Sequence, residues 1–125
     1  MLIVTNNQRV KDYYEDRYAV RLIGGDYGQV LREVRDLVHK GHRLLTHPLS
    51  GSVKPGETPY KSIAITEAPE EALSPSSLAL IEAAVASCEK FMGAAAGGVR
   101  RGGLTESVLA DFMEIDLTLL QSAAE

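Results

Sequence analysis

Of the three histidines in this chain, His47 stands in the setting best suited to chemistry. An imidazole changes charge near neutral pH, so it can serve as a general acid or base. His47 opens the polar part of a stretch running from Arg43 to Ile65. An apolar run is followed there by a long loop and then by a second apolar run. The loop also carries Ser50, Ser52, Lys54, Tyr60 and Lys61, with Pro48, Pro55 and Pro59 among them. Two lysines and several hydroxyls suit the binding of an anion. A connection longer than the usual ~4–6 residues, without its own helix or strand, is commonly functional.

The same residues exclude several reactions. No Cys or Asp stands at the spacing of a known triad. Ser50 and Ser52 lack the Gly-x-Ser-x-Gly elbow of a nucleophilic serine. Ser50-Gly51-Ser52-Val53-Lys54 lacks the Gly-Lys-Ser/Thr ending of a phosphate loop. No catalytic residue is therefore assigned, although His47 is the best acid–base candidate if the protein is an enzyme. A metal site is not expected: a strand between His42 and His47 would hold them about 16 Å apart, and His39 suits a helix C-terminus. No cofactor is expected. Cys88 lies on an apolar stripe and reads as a small core residue.

Binding requires a fold that gathers these groups. Leu2-Ile3-Val4-Thr5 reads as a buried strand ending in Asn6-Asn7, and Asn is a preferred helix cap. A helix through Val10, Tyr13 and Tyr14 follows, then a strand from Tyr18 to Ile23. Asp26 and Gln29 form a capping box. Tyr27, Val30, Leu31, Val34, Leu37 and Val38 mark the apolar face of a helix that Gly41 stops. Arg43–Thr46 and Ser62–Thr66 read as strands three and four, the fourth leaning antiparallel. Ser74 and Pro75 start a third helix. Residues 93–103, rich in Gly and Ala, read as a flexible linker to a C-terminal helix over 105–122. On that helix Val108, Leu109, Phe112, Ile115, Leu119 and Leu120 supply the apolar side, while Glu106, Asp111, Glu114 and Asp116 line the rest.

This alternation predicts one α/β domain over residues 1–125. The expected architecture is three-layered and Rossmann-like, with a four-stranded, mainly parallel sheet flanked by about four helices. Right-handed crossovers place strand 1 between strands 2 and 3. A ligand would then sit at the carboxyl ends of strands 1 and 3. The predicted binding set is Thr5, Asn6 and Asn7 from the first, with Thr46, His47, Ser50, Ser52, Lys54, Tyr60 and Lys61 from the loop after the third. The helix beginning near Asn7 adds N–H groups and a dipole that favour an anion.

The chain has 13 Lys and Arg against 17 Asp and Glu, a formal charge of -4. That balance argues against a nucleic-acid surface. No apolar run reaches the ~20 residues of a membrane span. A single Cys and an N-terminus without a basic leader region lead to the expectation of a cytoplasmic protein.

Leu2–Asn7, the His39–Pro55 run with its His47-Pro48-Leu49-Ser50-Gly51-Ser52 core, and Glu57–Ser62 resemble the GrdX family. Asp111-Phe112-Met113-Glu114-Ile115-Asp116 is similar in style. Genes of this family accompany those of the glycine, sarcosine and betaine reductases of anaerobic bacteria. The resemblance implies an accessory role in amino-acid fermentation, with no catalytic residue carried over. Two classes of function follow: a module binding a small anionic ligand, and a partner of a reductase component. The enzyme using His47 is the third. The amphipathic last helix is expected to build a homodimer, with Phe112, Ile115 and Leu119 in or beside the contact.

Overall fold

The structure, a computed structural model, describes residues 1–49, 58–94 and 105–125. Strands β1 (Leu2–Thr5), β2 (Ala19–Leu22) and β3 (Ser62–Ile65) form one sheet in the order β2-β1-β3. β1 and β2 run parallel, joined by helix α1 (Gln8–Tyr14). β3 pairs antiparallel with the other edge of β1, Thr5 facing Ser62 and Leu2 facing Ile65. Helices α2 (Tyr27–His39), α3 (Pro75–Ala94) and α4 (Glu106–Ala124) complete the domain.

This is a small α/β domain with a three-stranded mixed sheet, and it corrects the four-stranded, mainly parallel, Rossmann-like expectation. Among the described residues, the segment expected as strand three forms no strand and pairs with β3 in an isolated antiparallel bridge from Leu44 to Ile65. Its hydrogen bonds explain why no ladder forms. The amides of Leu45 and Thr46 converge on one carbonyl, that of Ala64. The Ala64 amide in turn donates to the Thr46 hydroxyl rather than to a backbone carbonyl. Pro48, just beyond, has no N–H to continue the pairing. The neighbour of β1 is therefore Ser62–Ile65, the segment expected as strand four.

Strand alternation divides the interior into two cores. Val4, Ile63 and Ile65 face α2 and α3, where Val30, Leu31, Val34, Val38, Ile81 and Ala84 complete an apolar cluster. Ile3 and Ala64 face α1 and α4, against Val10, Tyr14, Leu117 and Leu120. Each fully buried aliphatic side chain contributes about 1.5–3 kcal/mol.

The capping box of α2 is present: Asp26 accepts from the Gln29 amide at 2.9 Å, and the Asp26 amide donates to Gln29 Oε1 at 2.8 Å. Gly41 ends this helix region with φ of +117°, and a Cβ there would meet the Glu70 carbonyl at 2.4 Å. Glycine satisfies both demands. At the helix end His39 reaches Glu82 on α3 at 2.9 Å. α3 continues through Ala94, so Gly93 belongs to it; residues 95–104 of the expected linker lie outside the described residues.

The expected apolar side of α4 is rotated from the one that docks. Leu117 and Leu120 are buried in the chain's own core. Val108 and Ile115 are exposed, and Phe112 and Leu119 are half-buried. Among the described residues, no helix is long and apolar enough to cross a membrane.

Candidate functional site

Thr5, Asn6 and Asn7 stand at the carboxyl end of β1, where the chain leaves the sheet for α1. Thr5 is paired with Ser62, so both side chains fall on the α1/α4 side of the sheet. Their hydroxyls lie 2.6 Å apart. The Ser62 hydroxyl donates to Asp116 Oδ2 at 2.6 Å. A serine has one hydroxyl proton, so Thr5 must donate to Ser62. The Thr5 oxygen meanwhile accepts the Asn7 amide at 3.0 Å. The Asn7 side chain donates to the Met113 carbonyl at 2.9 Å and to Asp116 Oδ2 at 3.1 Å, while its oxygen caps α1 by accepting the Arg9 amide. One connected network thus ties β1, β3 and the start of α1 to α4.

Asn6 performs a different task. Its amide group donates to the carbonyls of Gly25 at 3.0 Å and Pro59 at 2.8 Å. Its oxygen accepts the Lys61 amide at 2.9 Å. Three hydrogen bonds from one buried side chain fix the Pro59–Lys61 backbone against the β2–α2 connection. Thr58 supports the same turn by accepting the Tyr60 amide.

That turn forms one wall of a solvent-open cleft lined by Tyr27, Thr58, Tyr60, Lys61, Ile115, Asp116 and Leu119. α2 contributes Tyr27 from its first turn, and α4 closes the opposite side. Lys61 is only 6 % exposed. Its ammonium lies 5.9 Å from the centre of the Tyr27 ring, at the outer range of a cation–π contact. Among the described residues it makes no hydrogen bond and no ion pair within 4.0 Å. The Tyr27 hydroxyl likewise has no hydrogen-bond partner among the described residues.

Burial penalises charge on both ionisable groups of the cleft. It lowers the Lys61 pKa to about 8, against the opposing pull of the Asp116 carboxylate. It raises the Asp116 pKa, while hydrogen bonds from Ser62 and Asn7 and the charge of Lys61 act the other way. An amine held in this manner, with no donor of its ammonium engaged by the described residues, can pair with a negatively charged group.

The structure gathers Thr5, Asn6, Asn7, Tyr60 and Lys61 of the predicted set at this end of the sheet. Thr46 is not among the lining residues; it lies along the far edge of β3, its hydroxyl occupied by Ala64. His47 is exposed, with Nδ1 accepting the Leu49 amide at 3.0 Å in a local turn, and it does not line the cleft. Ser50, Ser52 and Lys54 lie outside the described residues. Sequence reasoning missed Asp116, Tyr27 and Thr58. Asp116 read as part of the solvated side of the last helix but is only 7 % exposed. Its signal was positional: it stands three residues after Met113 and four before Leu120, on the stripe that docks.

No curated protein and no solved structure matches this chain. The family described as GrdX-like protein matches it over residues 2–125, almost its full length. The stretches singled out for resemblance, from Leu2–Asn7 to Asp111–Asp116, all fall inside that match, and the chain belongs to the GrdX-like protein family.

Proposed function

We propose that this protein binds a small anionic metabolite in the Lys61 cleft, as an accessory component of amino-acid reductase metabolism. Membership of the GrdX-like family suggests association with glycine-reductase-related systems. The observation that carries the binding reading is Lys61. A buried ammonium without a hydrogen-bond or ion-pair partner among the described residues is costly to the fold. An incoming carboxylate or phosphate would supply the missing acceptor. The Asn6 clamp holds the lysine's backbone in place before any ligand arrives, which lowers the ordering cost of binding.

Thermal unfolding of the intact protein with and without acetate, succinate, phosphate and a nucleotide provides the test. At least one raises the midpoint in a concentration-dependent way. Lys61→Met, which keeps most of the side-chain volume, abolishes that rise while remaining folded. A folded wild type indifferent to every one of these and to carboxylates that also carry an ammonium, or a Lys61→Met protein that responds as wild type does, removes the proposal.

A second reading rests on the outer side of α4, where Ile115 is 46 % exposed and Val108 is 38 % exposed. There a homodimer would cover apolar surface that the chain's own core leaves in water. Sedimentation of the intact chain should give a dimer. A monomer at micromolar concentration defeats this reading.

A further inference from the structure

We infer that the ligand of this cleft is a small zwitterion, with its carboxylate on Lys61 and its ammonium on Asp116. The inference rests on the anion-binding reading above and narrows it to a substrate class: small amino acids and related ammonium carboxylates.

Two opposite charges line one cleft without pairing directly. Lys61 and Asp116 both face it, yet they form no ion pair within 4.0 Å. Each is more than nine-tenths buried. Two buried charges that line one cleft without pairing are each left to be answered from the cleft. A water molecule could fill part of it, but the cleft extends further, past the rings of Tyr27 and Tyr60 to Ile115 and Leu119.

The hydrogen bonds of Asp116 point the same way. Both side-chain donors, Ser62 Oγ and Asn7 Nδ2, reach the same oxygen, Oδ2. Oδ1 receives neither. The Ser62 backbone amide also hydrogen-bonds the carboxylate, so the group is held firmly, and its two oxygens together still offer more acceptor sites than these donors use. On the opposing side, Lys61 has three N–H donors, none of them engaged by the described residues.

Charge balance then selects the ligand. A simple anion on Lys61 would leave a second negative group, Asp116, in the same low-dielectric space. A simple cation on Asp116 would face the ammonium of Lys61. A ligand carrying both charges answers both groups and adds no net charge to the cleft. The Tyr27 ring, which already lies near one ammonium, is suited to the face of a second or to an N-methylated one. Ile115 and Leu119 give the cleft an apolar wall suited to a short aliphatic body.

Calorimetric titration of the intact protein with four probes tests this: glycine, L-alanine, glycolate and glycinamide. Glycolate replaces the ammonium by a neutral hydroxyl, and glycinamide replaces the carboxylate by a neutral amide. At least one of the two amino acids is expected to bind about tenfold or more tighter than both analogues, a difference of about 1.4 kcal/mol. Lys61→Met, confirmed folded by circular dichroism, should lose that binding. Asp116→Asn alters the network that docks α4, so the analogue series tests the role of Asp116 without needing a folded variant. Glycolate binding as tightly as the amino acids would overturn the zwitterion and leave the anion reading intact. Glycinamide binding as tightly would overturn both, because the carboxylate would then be irrelevant. No binding of any probe, while acetate or phosphate binds, overturns the zwitterion alone; silence from all of them overturns both.

Discussion

The two faces of the sheet are built from the same strands and differ in kind. Toward α2 and α3 the strands present Val4, Ile63 and Ile65, and the helices answer with aliphatic side chains. Toward α1 and α4 the same strands present Ile3, Thr5, Ser62 and Ala64. The second face holds a buried carboxylate, a buried asparagine and two hydroxyls in a single network. It also holds the hydroxyl of Tyr14, buried with no hydrogen-bond partner among the described residues. Burial pushes the Tyr14 pKa up to about 12. The first face is assembled by shape and area. The second depends on each donor finding its acceptor, and its end opens into the cleft. Aliphatic packing therefore fills one side of this three-stranded sheet, while the other combines a smaller apolar core with a polar network at its end.

The sharpest way to break this comparison is to damage the apolar face. Leu31→Ala, at a fully buried position, should lower the unfolding free energy by about 2–5 kcal/mol. Chemical denaturation reads the loss directly. A loss below about 1 kcal/mol would mean that the α2/α3 side is not the tightly packed one.

Asn6→Ala should come next, at about 2–3 kcal/mol, because it strands the Lys61 amide and two carbonyls that Asn6 now satisfies. Its loss should be accompanied by weakened ligand binding, since the Pro59–Lys61 wall is no longer held. Equal stability loss with binding intact would separate the clamp from the site.

Lys61→Met should act in the opposite direction and stabilise the free protein at pH 7, by something on the order of 1–3 kcal/mol. Lys61 has a folded-state pKa lowered to about 8. Below that value both states hold the proton, and the cost of burying the charge is present in full. Between about 8 and the ordinary lysine value of 10.5 the native state gives up its proton while the unfolded chain keeps it. Wild-type stability from this group therefore rises with pH across that window. The gain from Lys61→Met should shrink across the same window, as denaturation at pH 7 and pH 10 will show. A variant less stable than wild type at pH 7 would indicate that Lys61 is paired in solution.

Asp116 runs the other way. Its raised pKa means that the native state binds the proton more tightly than the unfolded chain. The stability this contributes is full below the ordinary Asp value of 3.8 and is lost as pH climbs through the raised value. The smallest expected effect belongs to His47→Ala. With an exposed ring and a single local hydrogen bond, it should change stability by no more than about 0.5 kcal/mol. Ligand binding should be unchanged; a binding defect there would extend the site beyond the cleft.

Local chemistry made much of this molecule legible in the sequence. The α2 capping box, the glycine stop at Gly41, the apolar face from Tyr27 to Val38 and the Asn7 cap are set by residues within a few positions of one another. Each can be read from those neighbours alone, before the elements they pack against are known. The Thr5-Asn6-Asn7 cluster could be recognised as polar chemistry at a strand end for the same reason.

What tertiary structure decided is who meets that cluster. A four-residue apolar run at 43–46 and another at 62–65 look alike in sequence. The Thr46 hydroxyl and Pro48 spoil the ladder of the first, so the second takes the place beside β1. That choice brings the end of the long loop, with Tyr60 and Lys61, to Asn6, and leaves His47 at its start in solvent. Asp116 lies about a hundred positions beyond Asn7, and a carboxylate on an amphipathic helix ordinarily belongs in water. Only the rotation of α4 turns it inward, because Leu117 and Leu120 dock on Ile3 and Ala64 and carry Asp116 to the donors of Asn7 and Ser62. Hydrophobic docking sets that rotation, and the cost of an unpaired buried carboxylate requires those distant donors to be waiting there.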